Sequence, residues 1–251
     1  MIDLIKEKLH ELEEIHSIRI LYACESGSRA WGFPSPDSDF DVRFIYARSA
    51  NDYLSIHDIK DIIDLPVDDE LDIGGWDIKK ALKLFLKSNA PLYEWLQSPI
   101  IYIDNAHFAT TLRNLMPKYF SLRSGGNHYV SIGLNTLEND LQFEQVKLKR
   151  CFYALRSILA CKWIIKKQTV PPMELGILRT IERSETFQKC INDLLTIKSV
   201  SNEKTLIKPI AFLDEWLNNS ISSCKILLEQ TPVNRQLPNE LNDIFRRYIV
   251  L

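Results

Sequence analysis

The stretch SGSRAWGFPSPDSDFDVRFIY, residues 26–46, constrains this chain more than any other part of it. A small-residue turn at Gly27 and Ser28 is followed by a proline-bearing loop and then by a strand pattern carrying two carboxylates at alternate positions, Asp39 and Asp41. Successive side chains of a strand point to opposite faces, so Asp39, Asp41 and Arg43 share one face and Phe40, Val42 and Phe44 the other. One face is fitted to a core and the other to a site. The small side chains at 27 and 28 let the backbone come close to a ligand. Two carboxylates one strand repeat apart can hold cations side by side, and the combination points to nucleotide and metal chemistry.

The rest of the chain is arranged around that strand. Residues 2–15 place Ile2, Leu4, Ile5, Leu9, Leu12 and Ile15 near helical spacing with Lys and Glu between them, which predicts an amphipathic helix covering a sheet. IRILYAC, 18–24, reads as a strand ending at Glu25. Residues 30–38 contain Gly32, Pro34 and Pro36, so they predict a loop or a single helical turn. Residues 47–69 suggest only a hairpin or lid ending in the acidic run Asp68, Asp69 and Glu70. LDIGGWDI, 71–78, reads as a third strand leading into a helix over 79–88. Strict alternation puts Asp72 and Asp77 on opposite faces, and a bulge at Gly74-Gly75 would change that parity. LYEWLQSPIIYI, 92–103, predicts a short helix and an extended piece.

Beyond about residue 105 the periodicity is helical almost throughout: a helix over 107–120, a loop at Ser124–Asn127, a long helical pattern over 128–167, then further amphipathic segments separated by SNEK (201–204) and by the stretch around 231–238. The reading is an α+β chain, with an amino-terminal mixed-sheet domain over 1–105 and an all-helical domain over 106–251.

Composition excludes several classes. A formal charge of -2 gives no global polybasic character, although a local basic groove is compatible with it. No apolar run is long enough for a membrane span, and the acidic start lacks the zones of a secretory signal, so the expected location is the cytoplasm. The five cysteines are scattered with no CxxC pair, which favours unpaired thiols over disulfides or a zinc knuckle.

GSRAWG…SDFDVR resembles the signature of the DNA polymerase β-type nucleotidyltransferase superfamily, a Gly-Ser turn followed by a DxD strand. The longer strings ESGSRAWGFPSPDSDFDVRFIY, GGWDIKKALKLFLKSNAPLYEWL, VKLKRCFYALRSILACKWI and VPPMEL resemble the bacterial family of RNA-repair-associated polymerase-β-type nucleotidyltransferases, over nearly the whole chain. The resemblance implies a polymerase-β-like nucleotidyltransferase domain followed by the helical domain, with the site between them. The reaction it implies moves a nucleoside monophosphate from a nucleoside triphosphate to an acceptor hydroxyl.

The chemistry calls for such residues. Two Mg2+ ions, with Mn2+ as a substitute, would neutralise the triphosphate and lower the acceptor's pKa. Magnesium prefers oxygen ligands and keeps several waters, so a few carboxylates plus phosphate oxygens suffice. Asp39 and Asp41, one strand repeat apart, can hold both ions as metal ligands, and the resemblance puts the third carboxylate at Asp77, with Asp72 in its place if the glycine pair leaves the register unshifted. Gly27 and Ser28 would present N–H groups and a hydroxyl to the phosphates. Arg29 either contacts phosphate or pairs with Glu25 or Asp37. Lys149, Tyr153 and Arg156 share a helix face, and the resemblance makes Lys149 and Tyr153 a triphosphate clamp, against a solvated basic stripe with a core tyrosine. Trp31 either stacks on a base or plugs its loop.

The acceptor implied is an RNA end. A protein hydroxyl, as in adenylylating antitoxins, and a small molecule are the alternatives, and a non-catalytic nucleotide-binding module is the rival from another class.

Overall fold

The computed structural model describes residues 1–66, 70–234 and 236–250; Asp68 and Asp69 of the acidic run lie outside them. In chain order the elements are α1 (Ile2–His16), β1 (Arg19–Glu25), α2 (Gly27–Trp31), β2 (Phe40–Ala47), α3 (Ala50–Tyr53), β3 (Ile62–Asp64), β4 (Leu71–Asp77), α4 (Ile78–Leu86), α5 (Ala90–Trp95), β5 (Ile101–Asp104) and α6 (Phe108–Tyr119). They continue with α7 (Leu122–Asp140), β6 (Val146–Lys147), α8 (Leu148–Lys167), α9 (Leu175–Leu178), α10 (Glu185–Val200), β7 (Leu206–Ile207), α11 (Ala211–Glu229) and α12 (Asn239–Val250). The chain forms two compact units, each discontinuous in sequence: residues 1–27, 39–119 and 235–251, and residues 28–38 and 120–234. The class is α+β, with a mixed sheet in the amino-terminal part and helices in the carboxy-terminal part.

The first unit is built on a five-stranded sheet of order β3-β4-β2-β1-β5. β2 runs parallel to β4 and antiparallel to β1, while β3 and β5 are antiparallel edges. The alternation of β2 decides its faces. Val42, Phe44 and Tyr46 join Ile73 of β4 and Ile5, Leu9 and Leu12 of α1 in one core cluster. Burying each of these larger side chains contributes roughly 1.5–3 kcal/mol, so a one-residue slip that turned the set to the other face would cost far more than any single contact. The predicted covering helix is therefore α1.

The glycine pair of β4 makes no bulge in the β2–β4 ladder. Its register runs unbroken from Phe40↔Leu71 to Tyr46↔Asp77. The glycines serve close packing instead, since a Cβ at Gly75 would lie 2.2 Å from the Phe44 ring. The irregularities of the sheet fall on β1, between Ile20 and Tyr22 and between Ala23 and Cys24.

α12 belongs to this same unit. Phe245 packs edge-on against Tyr53 at 5.0 Å, Tyr248 lies perpendicular to Phe108 at 5.0 Å, and Glu240 meets Lys118 at 2.8 Å.

In the second unit α7, α8 and α11 pack together, and β6 pairs with β7. The loop expected at Ser124–Asn127 is absent. Ser121 caps α7 by accepting from the Ser124 N–H, and the helix runs straight through both glycines. The glycines mark close approach rather than a turn: a Cβ at Gly125 would come within 2.3 Å of the Phe120 ring, and one at Gly126 within 2.3 Å of Leu228. The long pattern over 128–167 is two helices broken between Asp140 and Leu148. No helix is long and apolar enough to cross a membrane among the described residues, and all five cysteines are free.

Candidate active site

In the first unit the unshifted register puts Asp72 beside Asp41 on adjacent parallel strands. Between them lies Arg43, whose guanidinium donates to the Asp72 carboxylate at 2.6 Å and reaches Asp41 Oδ1 at 3.5 Å. Burial by itself would lower the Arg43 pKa, but the hydrogen bond and charge of Asp72, followed by the charge of Asp41, outweigh it and raise the value. The face assigned to chemistry thus carries Asp41, Arg43 and Asp72, each half-buried. Asp39 sits one residue ahead of β2 and is also half-buried.

Asp77 is not brought to this group. Its register partner is Tyr46, a core residue, so parity places it off the Asp41 face. Its carboxylate instead caps α4, accepting from the Lys79 N–H at 2.7 Å and the Tyr53 hydroxyl at 2.8 Å. Burial pushes its pKa up, against those two hydrogen bonds.

Gly27, Ser26 and Glu25 fix Asp41, a role that the sequence reading gave to none of them. Gly27 has φ +60°, and a Cβ there would fall 1.9 Å from Asp41 Oδ2, so only glycine lets the turn lie against the carboxylate. Ser26 donates its N–H to the Asp41 carbonyl at 2.8 Å. Glu25, fully buried, accepts the Asp41 N–H at 2.9 Å and the Tyr102 hydroxyl, and the Glu25 carbonyl accepts from Ser98 at 2.6 Å. A buried carboxylate is retained only where such donors satisfy it. Glutamate at the end of a strand, directly before the Gly-Ser turn, was the available signal.

The donor set suits a hard cation that keeps other ligands. Asp41 and Asp72 already gather one positive group, Arg43, on their shared face. Among the described residues no three His, Cys, Asp or Glu side chains are grouped so as to hold an ion by themselves. Magnesium, which retains waters and takes phosphate oxygens, does not require such a cage.

The second unit holds the remaining candidates. Ser28 donates its hydroxyl to Ser38 Oγ at 3.1 Å, and Arg29 donates to the Ser38 carbonyl at 2.5 Å. Trp31 plugs its loop onto α8: its ring meets Tyr153 edge-on at 5.3 Å, Arg156 lies 4.4 Å over it, and Phe33 stacks on Phe152 at 4.7 Å. Tyr153 is thus partly engaged by packing, and Lys149 pairs with Glu203 at 3.1 Å. Arg156 is buried and donates to the Met173 carbonyl at 3.0 Å, so it is a packing residue of the helix face.

Residues 1–247 match the family described as RlaP, the RNA repair pathway DNA polymerase beta family. The chain belongs to that family. It is 47% identical over 240 residues to YcgL, an uncharacterized protein of Bacillus subtilis (strain 168), covering 95% of this chain and 92% of the relative. A nucleotidyltransferase-like protein from Exiguobacterium sibiricum 255-15 superposes over 90% of this chain and 75% of its own, at 8% identity and a TM-score of 0.31, a likeness too slight to carry an argument. Membership in RlaP makes the chain a polymerase-β-type nucleotidyltransferase at the level of the class, with a nucleoside triphosphate as the general substrate.

Proposed function

We propose that this RlaP-family chain is a Mg2+-dependent enzyme that transfers a nucleoside monophosphate from a nucleoside triphosphate to the terminal hydroxyl of an RNA. The observation that carries the metal-dependent reading is the in-register pair Asp41 and Asp72, with the Gly27 turn seated against Asp41. The family's description supports an RNA end as the acceptor.

In this reading Asp39 and Asp41 hold the metal ions, and Asp72, in place of Asp77, is the third carboxylate. Divalent cations supply, when bound, charge neutralisation of the triphosphate and a lowered pKa for the acceptor hydroxyl. Arg43 keeps the facing carboxylates from repelling one another. Gly27, Ser28 and Arg29 are assigned to the phosphates, as are Lys149 and Tyr153. The acceptor oxygen forms a bond to the α-phosphorus, the bond from that phosphorus to the bridging oxygen breaks, and pyrophosphate leaves with the electron pair. The acceptor's proton passes to solvent.

The test is incubation with each labelled triphosphate and Mg2+ in the presence of total RNA or cell extract. Labelled RNA is the expected product, and the Asp39→Asn/Asp41→Asn double variant should fold normally and transfer nothing. Substantial transfer by that variant would refute the mechanism, and label appearing in protein alone would refute the acceptor.

A further inference from the structure

The loop after the Gly-Ser turn is anchored by a residue far away in sequence. Glu203, in the SNEK turn that follows α10, accepts the Ser38 hydroxyl at 2.6 Å and the Lys198 ammonium at 2.9 Å on the same oxygen. Its other oxygen meets Lys149 at 3.1 Å. The Glu203 N–H donates to the Asp37 carboxylate at 3.0 and 3.2 Å. Lys198 is 2% exposed and also donates to Ser35 Oγ at 2.6 Å, while Ser38 Oγ accepts from the Ser35 N–H at 2.9 Å and from Ser28. One carboxylate therefore joins Lys149 to a hydroxyl chain that ends at Ser28.

The arrangement has a direction. Lys198 is buried and requires a counter-charge, so Glu203 is held from below whether or not Lys149 is present. Lys149 is 38% exposed and sits on a flexible four-carbon stem. A fixed carboxylate beside an ammonium on such a stem restricts where that ammonium points. Burial would raise the Glu203 pKa, but the hydrogen bonds from Ser38, Lys198 and Lys149 outweigh it and hold the value down at about 2, so the anchor stays charged.

We infer that Glu203 is a positioning residue for triphosphate binding, orienting Lys149 and, through Ser38, the Ser28 hydroxyl. The inference rests on the assignment of Ser28 and Lys149 to the phosphates. It adds a residue of the SNEK turn to that assignment, where the sequence suggested only a separator between helices.

The experiment is calorimetric titration of the full chain with inorganic triphosphate and Mg2+, a probe that needs neither the right base nor the acceptor. Glu203→Gln should weaken binding about tenfold, the loss expected for one charge-assisted hydrogen bond, and Glu203→Asp should recover part of it. Because Glu203 acts in part through Lys149, Lys149→Met/Glu203→Gln should lose less than the product of the two single losses, a non-additivity that a purely stabilising role would not produce. Should Glu203→Gln fail to fold with Lys198 left unpaired, Ser38→Ala breaks the hydroxyl link with the ion pairs intact and should weaken binding a few-fold. Unchanged or tighter binding in whichever of these two variants folds, or losses that multiply in the double variant, would overturn the inference while leaving the proposed function standing. If the wild-type chain itself does not bind the probe, the assignment of the phosphates fails and Glu203's role falls with it.

Discussion

Gly27→Ala tests whether the turn must touch Asp41. At φ +60° a non-glycine residue costs roughly 1–2 kcal/mol, offset in part by the ~0.4–1 kcal/mol that alanine gains through the unfolded chain. The melting temperature should then fall by only a few degrees, at about 2–4 °C per kcal/mol for a chain of this size. The steric effect is larger. The new methyl would stand 1.9 Å from Asp41 Oδ2 and 2.7 Å from its Cγ, so the carboxylate must move by about 1 Å or more to restore contact distance. A displacement of that size at a reacting group costs on the order of a hundredfold in rate. Gly32→Ala is the control, since Gly32 has φ +86° and a Cβ there would meet nothing within 4 Å. Gly27→Ala should lose at least as much stability as Gly32→Ala, and only Gly27→Ala should lose label transfer and, in a Mn2+ titration followed by electron paramagnetic resonance, metal affinity. Gly27→Ala with wild-type transfer and metal affinity would refute the reasoning, because Asp41 would then tolerate displacement or play no part.

The register makes a second prediction: Asp72→Asn should reduce transfer on the order of a hundredfold or more, whereas Asp77→Asn, which keeps a capping oxygen for the Lys79 N–H, should retain most activity and change stability by about 1 kcal/mol or less. Transfer rates for the two variants decide it, and the reverse order would restore Asp77 as the third carboxylate. A third concerns acid. The Glu203 pKa is depressed from 4.5 to about 2 in the folded chain, so its contribution to stability is fully present above about pH 5 and is lost as pH falls toward 2. The upper bound is about 3 kcal/mol, and solvent screening reduces it to roughly half. Urea midpoints between pH 5 and 3 should therefore fall less steeply in Glu203→Gln than in the wild type, and parallel slopes would show that the ion-pair cluster contributes nothing to acid stability.

What was legible in the sequence is what repeats with a short period. The alternation over 39–46 fixed both faces of β2, and the helical spacing over 2–15 identified α1 as the cover of the sheet, because a half-buried strand and an amphipathic helix each write their burial into neighbouring residues. Glycine pairs were misleading because the residue answers two different demands. At Gly74-Gly75 and at Gly125-Gly126 the missing Cβ admits a neighbouring side chain, Phe44 in one case and Phe120 and Leu228 in the other, without a bulge or a turn. The resemblance put the third carboxylate at Asp77 and left Asp72 as the alternative for an unshifted register; the ladder is unshifted, and it places Asp72 beside Asp41. Glu203 and Lys198 lay beyond any such reading. Their partners in the motif loop, Ser38 and Ser35, are 165 and 163 residues away, and a polar contact over that span leaves no local periodicity in either segment. Glu25 is the intermediate case, adjacent to the motif yet read only as the end of a strand and a candidate partner of Arg29, since its partners Tyr102 and Ser98 lie more than seventy residues away. The candidate site is therefore half written in the motif, which specifies the groups proposed to meet ligand. The residues that hold those groups in place are specified only by the fold.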